Sequence, residues 1–411
     1  MAQPFGSAPR VLLAVVSVGL LVLAAATSLG VSATTRAAAD GSLACKNGTL
    51  TVGIAKAKSG VASFFDIAGT RGTKIAIDQI NAAGGIKGCK IKTIEADTKS
   101  DPAVAAQVAR SLLDKGAQIL LVPDDFDLGI AAARVGQKAG VLTLSLAASS
   151  TEFAKAVGDK FFNSGPTTTQ LANAQAAFAL KRGWKRGYMV LDPGLAYFTE
   201  QDTVFRKQFQ AGGGKMVGTD KVDSLSGKSD YSSTVSKIKS LNPAPTVINA
   251  QMIFPPIGSF VKQLRAAGIN TPVIGNVTLQ TRELPKLVGK AGSHDVYFSA
   301  QVYFEGANQD PKSDPAINKF AKAYQKRFGL FPEQSNGPGA YQAFWAISKA
   351  LQQKSAVDAA SAAKAIRAQK NVKVPGGVLV RWEGGHAIWN ITIDGLNKQG
   401  QFRQFAVIKA K

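Results

Sequence analysis

A chain of 411 residues, 45% hydrophobic and 18% charged, has the composition of folded globular protein and is too long for one small core, so two α/β lobes are expected. A formal charge of +22 favours anionic surroundings such as lipid headgroups or cell-wall polymers. The basic residues are scattered, and their one cluster, Lys181 to Arg186, reads as a helix end and turn, which argues against nucleic acid as a partner.

The first 39 residues differ from the rest. Arg10 precedes an uninterrupted apolar run from Val11 to Ala26, then small residues follow, which is the layout of a removable signal peptide. Val31-Ser32-Ala33 and Ala37-Ala38-Ala39 both suit cleavage. The run is shorter than the ~20 residues a bilayer span needs, so an exported chain, periplasmic or cell-surface associated, is expected. Cys45 and Cys89 are the only cysteines, and an oxidising compartment predicts a disulfide between them.

From Leu50 short β-branched runs alternate with amphipathic stretches. Leu50 to Ile54 predicts a strand, Asp66 to Asn81 a helix ending at Gly84-Gly85, and Lys90 to Glu95 a strand. A helix capped by Asp101-Pro102 runs to Lys115, followed by a strand at Ile119 to Val122, a helix at Leu128 to Lys138 and a strand at Leu142 to Leu146. This is a parallel, doubly wound lobe. Phe161 to Pro166 breaks the alternation with hinge-like residues, and a second series begins at Thr168, with strands near Tyr188, Val217, Val247 and Val273. Further crossings are expected around Tyr297 to Tyr303 and Val374 to Val380. The expected division is 1–39 leader, 40–163 with 301–378 as the first lobe, and 164–300 with 379–411 as the second, built for hinge motion.

Ligands of such sheets sit at the carboxyl ends of strands. The candidate loops are therefore Lys56 to Ser63, with Ser59 its polar candidate, Pro123 to Asp127, Ala147 to Thr151, Asp192 to Phe198, Gln251 to Pro255 and Gly275 to Thr281. Catalytic machinery does not assemble from the sequence. His294 and His386 are the only histidines and lack a metal-binding spacing, so no metal or cofactor is expected. Gly212-Gly213-Gly214-Lys215 follows a helix and precedes a strand, the reverse of a phosphate loop, and reads as a helix cap and turn. Asp124, Asp125 and Asp127 suit acid/base chemistry, a calcium contact or recognition of a cationic or hydroxyl group. Alternatively they form a solvated loop with Asp127 capping the next helix.

Several segments together resemble the branched-chain amino-acid binding family of ABC importers, with its type I periplasmic binding fold, from about Leu50 to the C-terminus. They are Asp78 to Gly88, Asp97 to Pro102, Ser145 to Phe153, Pro255 to Gly268 and Gly339-Ala340-Tyr341. The resemblance implies an α/β protein of two doubly wound lobes joined by a multi-crossover hinge. It also implies a monomer that closes on a small-molecule ligand and docks on a membrane permease. A ligand carboxylate would be held by amides and hydroxyls at Ala147 and Ser149, with Asp125 and Phe126 beside them. Tyr197 and Phe254 would close over the ligand, and Tyr341 begins a late helix. Two departures widen the ligand class to amino acids, amides or organic acids. Asp124-Asp125-Phe126 replaces small hydroxyl residues, and Gly275 to Thr281 lacks the acid that pairs an ammonium, leaving Asn276 as its polar candidate or merely a turn residue. A sensory binding module is the alternative, although a covalently attached sensor would need a membrane anchor after the lobes. An exported hydrolase would need a constellation that the sequence does not offer.

Overall fold

A computed structural model describes residues 41–302 and 314–410. The expected leader lies outside them. The first series runs β1 (Thr49–Lys56), α1 (Ser63–Ala82), β2 (Lys90–Asp97), α2 (Pro102–Asp114), β3 (Ile119–Leu121), α3 (Phe126–Lys138), β4 (Leu142–Ser145), α4 (Phe153–Val157) and β5 (Phe161–Asn163). The chain then crosses to α5 (Thr168–Lys181), β6 (Arg186–Leu191), α6 (Ala196–Ala211), β7 (Lys215–Lys221), α7 (Ser232–Ser240), β8 (Val247–Gln251), α8 (Pro256–Ala266), β9 (Val273–Gly275), α9 (Leu284–Gly292) and β10 (Val296–Ala300). It returns through α10 (Pro315–Phe328), α11 (Asn336–Leu351), α12 (Ala359–Arg367), β11 (Lys370–Val374), β12 (Gly377–Glu383) and β13 (His386–Trp389). A last crossing leads to β14 (Ile391–Leu396) and β15 (Phe402–Ile408).

The strands form two sheets. One has eight strands in the order β11-β12-β13-β5-β4-β3-β1-β2, the other seven in the order β15-β14-β10-β9-β8-β6-β7. Each is parallel over its αβ repeats and ends in antiparallel strands, β11 to β13 in the first and β14 and β15 in the second. The lobe boundary expected after residue 378 is corrected by this topology. Residues Leu379 to Trp389 belong to the first sheet, and the last crossing falls between Trp389 and Ile391. A run of β-rich sequence without a helix marks a crossing only when the strands part, and here β12 and β13 pair as a hairpin.

Backbone approach explains two glycines. A Cβ on Gly72 of α1 would stand 1.9 Å from the Gly337 carbonyl oxygen of α11, so these helices pack with backbones nearly touching. Gly85 has φ +83°, and a Cβ there would lie 2.0 Å from the Cys89 carbonyl oxygen, in the turn that leads into β2. Parallel pairing sets Thr49 of β1 opposite Lys90 of β2, so Cys45 and Cys89 start adjacent strands, and they form a disulfide with Cα atoms 5.6 Å apart. That bond lies at the strand starts, away from the carboxyl ends. Gly212 ends α6 and leads directly into β7, as a cap and turn.

Candidate functional site

The carboxyl ends of β1, β3 and β4 are bound together by a buried charged cluster. Asp66, in the first turn of α1, accepts the amides of Ala57 at 2.8 Å and Asp124 at 2.9 Å. Asp124 Oδ1 accepts the Ser145 hydroxyl at 3.1 Å and the amides of Leu146 at 2.9 Å and Ala147 at 3.0 Å. Its other oxygen pairs with Lys56 Nζ, which also lies 3.9 Å from Asp66. All three side chains are nearly inaccessible to solvent. A charge so buried is tolerable only when paired and hydrogen-bonded, and this cluster meets both conditions. Burial pushes the Asp66 carboxyl well above the usual range, against the Lys56 charge and with the Asp124 charge.

The second lobe holds its own loops by a similar device. Asp192, just after β6, accepts the amides of Gly194, Ser224 and Leu225, and the Ser224 hydroxyl. Ser224 Oγ, after β7, in turn accepts the Ile253 amide at 3.1 Å, so the loops after β6, β7 and β8 are tied together.

Between these loop sets lies a small cavity of about 50 Å³, lined from the first lobe by Phe65, Asp124, Asp125, Phe126, Ala147, Ser149, Ser150 and Asn336, and from the second by Leu195, Tyr197, Phe198, Ile253, Val277 and Thr278. A neighbouring space of about 30 Å³ shares Ala147, Ser149, Val277 and Asn336 with it. A larger cavity, about 820 Å³, lies elsewhere, between β13, α5 and the end of β15. Thr151, after β4, and Thr167, after β5, reach its edge, but none of the loops after β6, β7, β8 or β9 lines it, so it is not faced by strand-end loops of both sheets.

The cavity brings together Asp125, Phe126, Ala147, Ser149 and Tyr197 of the expected residues. Asp125 caps α3 by accepting the Leu128 amide at 3.1 Å, and burial, then the Asp127 charge, pushes its carboxyl up to about 7. Ser149 is buried, and its hydroxyl has no hydrogen-bond partner among the described residues. The Tyr197 hydroxyl is buried near Gln201 and the Val277 backbone without a hydrogen bond of good geometry to either, and burial raises it far above the ordinary phenol range. The Ala147 amide is committed to Asp124, so the anion-holding amide implied by the resemblance is occupied from within the chain.

Other expected residues stand outside the cavity. Ser59 is exposed, and its hydroxyl donates to Asp97 at 2.8 Å. Asn276 is fully buried; its amide donates to the Met252 carbonyl and its oxygen accepts the Thr278 amide, so it closes a 3-10 turn at Val277–Leu279. Tyr341 lies in the core between α1 and α11, where it donates to Gln79 at 2.8 Å and packs on Phe320. Phe254 stacks on Phe64 of α1 with centroids 6.0 Å apart, a contact between the lobes rather than a cavity wall. Asp127 does not cap α3; its carboxylate accepts the Ala196 amide of the second lobe at 3.0 Å. Leu195 and Val277 lie within loops picked from the sequence without being singled out there, whereas Phe65, Asn336 and Glu200 lie outside them. Glu200 accepts the Ser150 hydroxyl, the Thr151 amide at 2.9 Å and hydroxyl at 3.0 Å, and the Thr168 hydroxyl.

No group of three or more potential metal ligands occurs among the described residues. The polar groups that line the cavity, beside apolar walls, suit reversible binding of a small molecule.

Residues 49–401 match the family model for the periplasmic binding protein. The leucine-, isoleucine-, valine-, threonine- and alanine-binding protein of Pseudomonas aeruginosa is 23% identical over 302 residues, which covers 72% of this chain and 76% of that protein. Among solved structures, the branched-chain amino-acid transporter substrate-binding protein LivJ of Streptococcus pneumoniae, in complex with isoleucine, superposes with a TM-score of 0.76 at 20% identity, covering 88% of this chain and 99% of that one. A solute-binding protein of an ABC transporter from R. palustris, in complex with benzoate, does so with a TM-score of 0.72 at 19% identity, covering 87% and 96%. With two α/β lobes, strand-end loops facing each other across a cavity and a family match over most of its length, this chain belongs to the periplasmic binding protein family.

Proposed function

We propose that this protein is the extracytoplasmic solute-binding component of an ABC importer, which captures a small ligand between its lobes and presents the closed form to a membrane permease. The observation that carries this reading is the cavity lined by strand-end loops of both sheets. A ligand there touches both lobes only when they are closed, so its binding energy shifts the hinge equilibrium toward closure. Relatives named for amino-acid binding, and structural neighbours that hold isoleucine or benzoate, support a ligand with an apolar body and a polar end, an amino acid, amide or organic acid. The apolar run before residue 40 supports export, and no helix among the described residues is long and apolar enough to cross a membrane. The reading assigns the chain no chemical reaction.

A thermal-shift screen of amino acids, amides, amines and aromatic acids tests it, because a ligand that binds only the folded state raises the melting temperature. A saturable rise with at least one of these classes is expected. Folded protein that responds to none of them contradicts the reading.

A further inference from the structure

The ionisable groups that line the cavity are two carboxyls and the phenol of Tyr197, none of them cationic. Asp124 and Asp125 line it, and no lysine, arginine or histidine is among the described lining residues. Lys56 lies behind Asp124, paired with it and with Asp66, and does not reach the lining.

Several of the backbone donors around the cavity are also taken, although the amide and hydroxyl of Ser149 are not. Leu146 and Ala147 donate to Asp124, Asp124 donates to Asp66, Leu128 donates to Asp125, Thr168 donates to the Ser149 carbonyl, and Thr278 donates to Asn276. Ser150 and Thr278 spend their hydroxyls on Glu200 and the Met252 carbonyl. Asp125 is different. Its carboxyl caps α3 by accepting the Leu128 amide, with the Asp127 amide also bearing on it, and no lysine, arginine or histidine pairs with it among the described residues. Phe65, Phe126, Leu195, Phe198, Ile253 and Val277 surround it with apolar surface. An anionic ligand would meet like charge at Asp125 even where Ser149 donates to it, whereas a cation would find an unpaired carboxyl acceptor in a low-dielectric site, where pairing is strongest.

We infer that the cleft recognises a protonated amine on an apolar body, with Asp125 as the residue that pairs with it and sets the specificity. This rests on the solute-binding reading above and reverses the polarity implied by the resemblance, in which first-lobe amides hold a carboxylate. A free carboxylate on the ligand is not required by the first lobe.

The charges that face Asp125 are Asp124 and Asp127 from its own segment, with Lys56 and Asp66 beyond Asp124. From α6 comes the neutral phenol of Tyr197. With its carboxyl raised to about 7, Asp125 is largely protonated in mildly acidic solution. Amine binding then requires loss of that proton, so affinity rises about tenfold from about pH 6 to about pH 8.

Calorimetric titration of the full mature chain tests this with matched ligands: leucine, its amine counterpart 3-methylbutylamine and its acid counterpart 4-methylpentanoate, with benzylamine and benzoate as an aromatic pair. Asp125→Asn keeps the helix cap, since asparagine caps as well as aspartate. The expected result is that at least one amine binds more tightly than its matched acid, with affinity rising with pH. Asp125→Asn then weakens that amine by about thirtyfold or more. Acids that bind more tightly than amines, or amine affinity indifferent to Asp125→Asn, overturn the inference and leave solute binding standing. Silence from every ligand, with folded protein, overturns both.

Discussion

The backbone amide of Thr151 donates to the Glu200 carboxylate at 2.9 Å, and these two residues stand on opposite lobes. The same carboxylate accepts the Ser150 and Thr151 hydroxyls, while Asp127 accepts Ala196 and Phe64 stacks on Phe254. Closure is therefore held in part by the protein's own contacts. A ligand has only to supply the remainder.

Glu200→Ala removes the largest of these contacts. Charge-assisted hydrogen bonds in a partly buried site support an expectation of about 1–2 kcal/mol lost from closure, hence about tenfold weaker ligand binding. Small-angle scattering of the ligand-free variant should show a larger radius of gyration than the parent. An unchanged radius and affinity would show that these bonds do not bias the hinge.

Lys56→Met leaves Asp124 buried without its cation. The expected loss is about 3–5 kcal/mol, measured by urea unfolding, because a stranded buried charge costs more than the pair contributed. A loss near zero would mean that the Lys56–Asp124 pair does not hold these strand ends together.

Cys89→Ser opens the link between the starts of β1 and β2. Stability should fall by about 2–5 kcal/mol, while affinity of the folded variant stays close to the parent's, since the bond lies at the strand ends opposite the cavity. A large fall in affinity with the fold intact would contradict that separation.

Asp125 and Asp66 both carry carboxyls raised above their unfolded values, Asp125 to about 7. Such a group costs stability once it must ionise in the folded state. The cost is absent below the unfolded value near ~3.9, grows as pH rises and is complete above the folded value. His386, lowered by burial, acts oppositely as pH falls through the unfolded histidine range. Asp125→Asn should therefore raise the melting temperature at about pH 8 relative to about pH 5, compared with the parent. An identical pH profile in both proteins would contradict the burial of an ionising Asp125.

Much of this architecture was legible because periodicity and turn residues are local. Gly84-Gly85 ends α1, Asp101-Pro102 opens α2 and Phe161 to Pro166 holds the first crossing, each readable from neighbours in sequence. The third crossing was misplaced by about ten residues, because hairpin pairing of β12 with β13 is a tertiary fact that a β-rich run does not encode. The site was legible at the level of loops and less so at individual residues. Asp125 and Ser149 sit on the cavity, but Asn276 turned inward to close its own turn and Tyr341 entered the core. Glu200 gave no signal, since a carboxylate within an amphipathic helix looks like solvated surface until the facing lobe is placed against it.

The central claim is that a small molecule binds between the lobes and holds them closed. Small-angle scattering with and without the tightest ligand from the screen, on the parent and on Ser149→Ala and Asp125→Asn, tests it most directly. Ligand should reduce the parent's radius of gyration, and at the same ligand concentration at least one substitution should diminish that reduction. Saturating ligand that leaves the radius unchanged, or compaction indifferent to both substitutions, would contradict the account.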